Sequence, residues 1–306
     1  MSRSLLLSPF EAKVNKNKSR TAKAGAIITL SLFVVLFTFP MIFTVANSFM
    51  SNAEISESYP SNANLSDEQP SLANAYMRFK LIPEEVTLRQ YYTVLVLNTQ
   101  YLVMFWNSIK IVVPIVLGQL LVSCMAAYGF SILKSKWSDY LFFLYIIIML
   151  MPFQVTLVPN YIVASKMGLI GSHLSIVLPG VFNTFGVFLL RQYMTGIHGA
   201  YIEAARMDGA NHWQVFRHVI IPMSKTGIAA LAILTFIDNW NMVEQPLIFI
   251  KEAIKQPLSI YLATLTDKAR GIAFAASVFY MLPMLLSFMY WEDYLVEGIQ
   301  LSGIKA

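Results

Sequence analysis

The chain has a single cysteine, Cys124, among 306 residues. One thiol excludes a disulfide scaffold and a cysteine-based metal cluster. Charge is also scarce: Asp, Glu, Lys and Arg make up 13% of the chain, against about 25% in soluble globular domains. That little charge cannot coat a soluble surface. No G-x-x-x-x-G-K-[ST] motif is present, and Ser224-Lys225-Thr226 lacks the preceding glycines, so no Walker-type ATP site is expected. Neither H-E-x-x-H nor G-x-S-x-G occurs. The four histidines, His173, His198, His212 and His218, have no metal-ligand spacing. No catalytic residue, metal or cofactor is therefore expected in this chain. Apolar residues are abundant, at 57%, which excludes global disorder. With so apolar a composition, the net charge of +5 points to a membrane rather than to nucleic acid.

A helix needs about 20 apolar residues to cross the hydrocarbon core. Six such stretches are legible, near 25–49, 108–132, 139–159, 173–193, 227–250 and 272–291. The expected fold is an all-α polytopic membrane protein with six transmembrane helices. The first stretch is too long for a signal peptide, and no small-residue cleavage site follows it. Pro152, Pro159 and Pro179 are expected to break helices near cavities or interfaces.

The basic residues set the orientation. Arg3, Lys13, Lys16, Lys18, Arg20 and Lys23 crowd the first 24 residues, which are placed in the cytoplasm. The same side then holds Lys134, Lys136, Arg191, Arg206, Arg217, Lys225 and Lys305, making 13. The other side holds eight: Arg78, Lys80, Arg89, Lys166, Lys251, Lys255, Lys268 and Arg270. Both termini are thus expected inside a cell membrane. Residues 51–106 are rich in Ser, Asn, Pro and acid and read as a partly ordered external loop, either a spacer or a docking surface. The chain divides into a cytoplasmic segment 1–24, a first span 25–50, this loop, and a five-helix core 107–306.

The inside loop 191–226 is too long for a simple connection between helices. Residues 200–207 favour helix, with Ala204, Ala205, Arg206 and Met207 all good formers. Asp208-Gly209 then reads as a turn or C-terminal cap. Residues 211–221 resume with Trp213, Phe216, Val219 and Ile220 as an apolar stripe, and Pro222 is expected to end it. The result is a short helix, a glycine turn and a second helix. The first offers a partner protein a knob with small residues and one acid, Glu203, able to pair with a base.

The run EAARMDGA followed by WQVFRHVIIP resembles the EAA loop of ABC importer permeases. NSIKIV, AAYGFSILK, MPFQVTLVPNYIVASKMGLIGS, FLLRQYM and the terminal GIQLSGIKA are similar to the carbohydrate-uptake, maltose-permease G-like branch. The resemblance covers roughly 106–306 and implies the type I ABC importer permease fold. It implies that Glu203, Ala204, Ala205, Asp208, Gly209, Ala210, Phe216 and Pro222 form or support a coupling helix seated in a cleft of the ATPase. It implies as partners a second homologous permease subunit, two ATPase subunits that bind ATP and Mg, and an external solute-binding protein. The substrate it implies is a sugar or oligosaccharide, with another small solute (a polyamine or amino acid) as the alternative. In such subunits the tail reaches the ATPase interface, here through Gly298, Ser302, Gly303 and Lys305. Thr226 departs from the family, where a proline is common, and is expected to alter the angle at which span five begins.

Span five contains 238-DNWNMVEQ-245. An acid at the bilayer centre costs about 2.5–3.5 kcal/mol, so it is a functional candidate by default. Asp238 lies about 18 Å along a helix starting at Thr226, slightly beyond the midplane. Asp238, Asn241 and Gln245 would form one polar stripe on a continuous helix, with Asn239 beside them and Glu244 near the outer surface. Carboxylates and amides suit sugar hydroxyls, and Trp240 offers an apolar ring face. Asn183 and Thr184 lie mid-span in helix four, available for interhelical bonding or for the pathway. The competing class is an ion-coupled secondary transporter, which has no reason to carry an ATPase-docking knob.

Overall fold

Long apolar runs with few helix breakers dictate helices. The computed structural model describes residues 9–59, 80–132, 137–264 and 270–303. In chain order the helices are α1 Pro9–Ser48, α2 Asn52–Ser58, α3 Arg89–Tyr92 and α4 Thr99–Ile132. Next come α5 Ser138–Met149, α6 Phe153–Lys166, α7 Leu174–Val181 and α8 Thr184–Thr195. There follow α9 Gly199–Met207, α10 His212–Val215, α11 Ile221–Met223 and α12 Lys225–Trp240. The last are α13 Glu244–Phe249, α14 Leu258–Ala263 and α15 Arg270–Gly303. No strand occurs among the described residues.

Four of these stretches are long and apolar enough to cross a membrane: Lys23–Ser48, Thr99–Ile132, Leu174–Thr195 and Arg270–Tyr294. Two more candidates are bent pairs. Ser138–Met149 and Phe153–Lys166 meet at 100°, and His212–Met223 and Lys225–Trp240 at 73°. The expected third span is therefore not one straight helix. Pro152 lacks an N–H and biases Met151 towards an extended backbone, so α5 stops at Met149. At about 1.5 Å per residue its 12 residues reach only about 18 Å. Pro159 does not break its helix, since α6 runs through it. Pro179 sits inside α7, and the break falls later, at Phe182 and Asn183. The second span starts earlier than expected, at Thr99. Its polar beginning is satisfied by a later loop. Asn107 donates to the Ile254 and Gln256 carbonyls at 2.7 and 3.2 Å, and the Leu258 N–H donates to the Ser108 hydroxyl at 2.8 Å.

The structure divides into two units: the described residues up to Gln90 with Arg270–Val278, and Tyr91–Ala269 with the rest of α15. In the first unit, Met50, Ile55 and Tyr59 are buried together, with Phe43 and Phe274 packed on them. Residues 60–79, in the expected external loop, lie outside the described residues, as does Lys305.

In the second unit α4 is the axis. One core level joins Ile111 and Ile115 of α4 to Ile176 and Val177 of α7 and Phe249 of α13. A second joins Cys124 and Tyr128 of α4 to Leu190, Met194, Ile202, Phe216, Ile220 and Leu231. The helices α4 and α8 approach closely at Gly186, where a β-carbon would stand 2.4 Å from the Ser123 hydroxyl and 3.0 Å from the Gln119 amide nitrogen. Small residues allow such backbone approach where no hydrophobic force drives helices together in lipid.

Candidate functional site

The loop between α8 and α12 builds a helix–turn–helix on the second core level. α9 ends in a glycine-dependent cap. Gly209 has φ +86°, a conformation that costs any other residue. Its N–H donates to the Arg206 carbonyl, and that of Ala210 to the Ala205 carbonyl, both at 3.0 Å. This pair of bonds satisfies the last carbonyls of the helix. Asn211 then starts the next helix through a capping box. The Gln214 N–H donates to Asn211 Oδ1 at 2.9 Å, and the Asn211 N–H donates to Gln214 Oε1 at 2.8 Å.

Ile202, Val215, Phe216 and Ile220 point into the core, with Ala205 and Ala210 partly buried against it. The Tyr128 hydroxyl on α4 donates to the His212 carbonyl at 3.2 Å, and its ring meets Phe216 edge-on at 5.2 Å. Trp213, expected on the buried stripe, is 59% exposed and touches Phe216 instead. Pro222 does not end the segment. The backbone widens to a π-helix over Phe216–Ile220 and continues to Met223. That widening accommodates a proline that lacks an N–H and crowds the preceding turn. The opposite face of α9 is uncovered. Glu203, Ala204 and Asp208 are exposed, and Met207 is 87% exposed. Glu203 has no ion pair or hydrogen bond among the described residues. The arrangement is a rigid helix held from behind, with an apolar tip and a free carboxylate in front.

A second feature lies where α7 gives way to α8. A cavity of about 300 Å³ is lined by Gln119, Asn183, Phe185, Leu234, Thr235, Asp238 and Asn239. Asn183 caps α8, its Oδ1 accepting from the Phe185 N–H at 2.9 Å. Asn239 donates to the Thr235 carbonyl at 2.8 Å. Asp238 is exposed and has no ion-pair partner among the described residues. A broken helix beside a polar cavity is a usual way to build a solute site in a membrane.

The cavity gathers Asn183, Asp238 and Asn239 and leaves out Trp240, Asn241, Glu244 and Gln245. The continuous stripe does not form, because α12 stops at Trp240. Trp240 is 1% exposed, stacked on Phe236 at 5.3 Å, with its indole donating to the Tyr280 carbonyl at 3.2 Å. Its ring is core and offers no face to a solute. Asn241 caps the helix, donating to the Ile237 carbonyl and accepting from the Tyr280 hydroxyl at 3.0 Å. Glu244 begins α13 and accepts from Gln154 at 3.4 Å. Gln245 is buried, donating to the Ser175 carbonyl at 3.4 Å.

Residues 119–300 match the family described as binding-protein-dependent transport system inner membrane component. The chain belongs to that family. It is a membrane-embedded permease subunit of an ABC importer, not the ATPase. The permease is 29% identical to the arabinooligosaccharides transport system permease protein AraQ of Halalkalibacterium halodurans, over 73% of this chain and 81% of that one. It is 28% identical to the lactose transport system permease protein LacG of Rhizobium radiobacter, over 66% and 74%. It is 31% identical to the osmoprotective compounds uptake permease protein GgtD of Synechocystis, over 66% and 70%. Its fold matches a chain of the crystal structure of a bacterial ABC transporter involved in import of the acidic polysaccharide alginate. The TM-score is 0.75 at 21% identity, covering 91% of this chain and 98% of that one. Four lining residues of the permease's cavity, Gln119, Phe185, Leu234 and Thr235, were not legible as site residues. Gln119 carried the one usable signal, an amide standing alone in the apolar run of α4.

Proposed function

We propose that the permease carries a sugar or oligosaccharide across the cell membrane, with α9 as the helix through which a separate ATPase drives it. The observation that carries this reading is the build of α9. Its inner face joins, through Ile202 and Ala205, the core cluster that also holds residues of α4, α8 and α12, while Glu203, Ala204, Met207 and Asp208 are left for a partner. Two relatives named for arabinooligosaccharides and lactose support the substrate class. The excess of basic residues near α1 and the α9 loop supports a cytoplasmic position for both termini and for the knob.

On this reading two ATPase subunits bind ATP and Mg and close. The coupling helices of this permease and of a second, homologous one move with them, and the spans rock to open the site outward. An external binding protein delivers the solute, which passes the cavity at Asn183, Asp238 and Asn239. The test is carbohydrate-stimulated ATPase activity and uptake by the complete transporter in proteoliposomes. Glu203→Lys reverses the charge on the knob, and Gly209→Pro cannot adopt a positive φ. Both are expected to abolish uptake and its stimulation of ATPase activity. Full uptake in both would remove α9 from coupling.

A further inference from the structure

The cavity holds polar groups that the fold itself leaves unsatisfied. Gln119 is 2% exposed and Thr235 5%. Neither the Gln119 amide nor the Thr235 hydroxyl is hydrogen-bonded to any described residue. Both line the cavity. Buried amides and hydroxyls are nearly always paired, because leaving them unpaired costs stability. Gly186 keeps the space beside the Gln119 amide nitrogen clear, since a β-carbon there would stand 3.0 Å away. Both groups open onto the cavity, so a molecule there that can accept from an amide and donate to its oxygen would pair with them. Hydroxyl groups do both.

The remaining lining narrows the class. Phe185 supplies an apolar ring, 37% exposed, beside the Asn183 amide. Asp238 supplies a carboxylate with no ion-pair partner, and no basic residue lines the cavity. A volume of about 300 Å³ is at the lower end of the ~300–1,000 Å³ range for ligand pockets, room for one sugar unit rather than a chain. An unpaired carboxylate accepts from hydroxyls and repels carboxylate or phosphate.

We infer that Gln119, Thr235, Phe185 and Asp238 form a recognition subsite for one uncharged sugar unit, and that Asp238 excludes uronic acids and sugar phosphates. The inference rests on the importer reading above and adds that this subunit itself selects by charge. Gln119 holds the ring hydroxyls, Phe185 covers its apolar face, and Asp238 sets the sign of what enters.

The test uses the assembled transporter in nanodiscs without nucleotide, titrated with lactose and maltotriose as neutral probes. Digalacturonate and glycerol 3-phosphate are the anionic probes. At least one neutral probe is expected to bind at least tenfold more tightly than either anion. Gln119→Leu is expected to weaken the neutral probe at least tenfold, because a site built to bond hydroxyls loses its partner. Asp238→Asn is expected to narrow the gap between neutral and anionic probes. Since Asp238 is exposed, that variant carries the test if Gln119→Leu fails to assemble. An anion bound as tightly as the best neutral probe overturns the inference, as does wild-type selectivity in Asp238→Asn. A wild-type complex that takes up carbohydrate but binds no probe also overturns it. Failure of the wild-type complex to take up any carbohydrate with its binding protein instead removes the importer reading itself.

Discussion

Glu54, at 8% exposure just beyond α1, is a carboxylate whose charge is maintained by its surroundings. Lys80 pairs with it at 2.9 Å, and the Glu84 N–H donates to the same oxygen at 2.9 Å. Burial pushes the carboxyl upward, but the bonds from Lys80 and from the Glu84 and Glu85 backbone outweigh it and hold it below the ordinary value of 4.5. A carboxyl lowered in the folded state stabilises that state above its unfolded pKa and stops doing so as pH falls through the folded one. Hydrogen bonds to a charged group are worth about 1.5–3 kcal/mol. Glu54→Gln is therefore expected to lower the melting temperature of the purified permease at pH 7. The difference from wild type should close as pH drops below the ordinary carboxylate range. A gap that stays constant from pH 7 to pH 3 would show that Glu54 acts by shape alone. The carboxylate's acidity is visible in the sequence, but its pairing is not, because Lys80 lies 26 positions away.

At the scale of elements, what was legible is what is set locally. The turn between α9 and α10 is written in adjacent residues: Gly209 for the positive φ, and Asn211 with Gln214 for the capping box. The ends of spans three and five were harder. The break after Met149 follows from Pro152, but composition alone reads straight through it. The end of α12 at Trp240 depends on Phe105, Phe236 and Tyr280, which enclose the indole from three helices. Periodicity cannot register such contacts, so the stripe of Asp238, Asn241 and Gln245 looked continuous. The local chemistry also supports a prediction. Asn211→Ala removes the capping box, a change worth about 0.5–2 kcal/mol, and frays the turn of α10 that Tyr128 grips through the His212 carbonyl. The expected result is a permease that still assembles but transports fewer solutes per ATP hydrolysed. Asn211→Ser, which retains a capping oxygen, should recover most of that ratio. Equal coupling in Asn211→Ala and wild type would mean that the cap does not stiffen the knob.

At the scale of the whole molecule, the scarcity of cysteine makes the orientation measurable. Cys124 is buried at 6% exposure between helices, out of reach of a water-soluble label. Cys124→Ala removes it, so one introduced thiol reports one place. Met207 at 87% exposure marks the tip of α9, and Ile254 at 59% marks the loop before α14. The orientation proposed from the positive-inside count would put these on opposite sides of the membrane. A membrane-impermeant maleimide applied to intact cells is expected to label Ile254→Cys and leave Met207→Cys untouched, while permeabilised cells label both. The same thiol then reports the partner. If α9 seats in an ATPase, adding the ATPase subunits to permeabilised membranes protects Met207→Cys and leaves Ile254→Cys reactive. Labelling of Met207→Cys in intact cells would invert the topology. Undiminished labelling with ATPase bound would leave the topology standing and move the docking face away from α9.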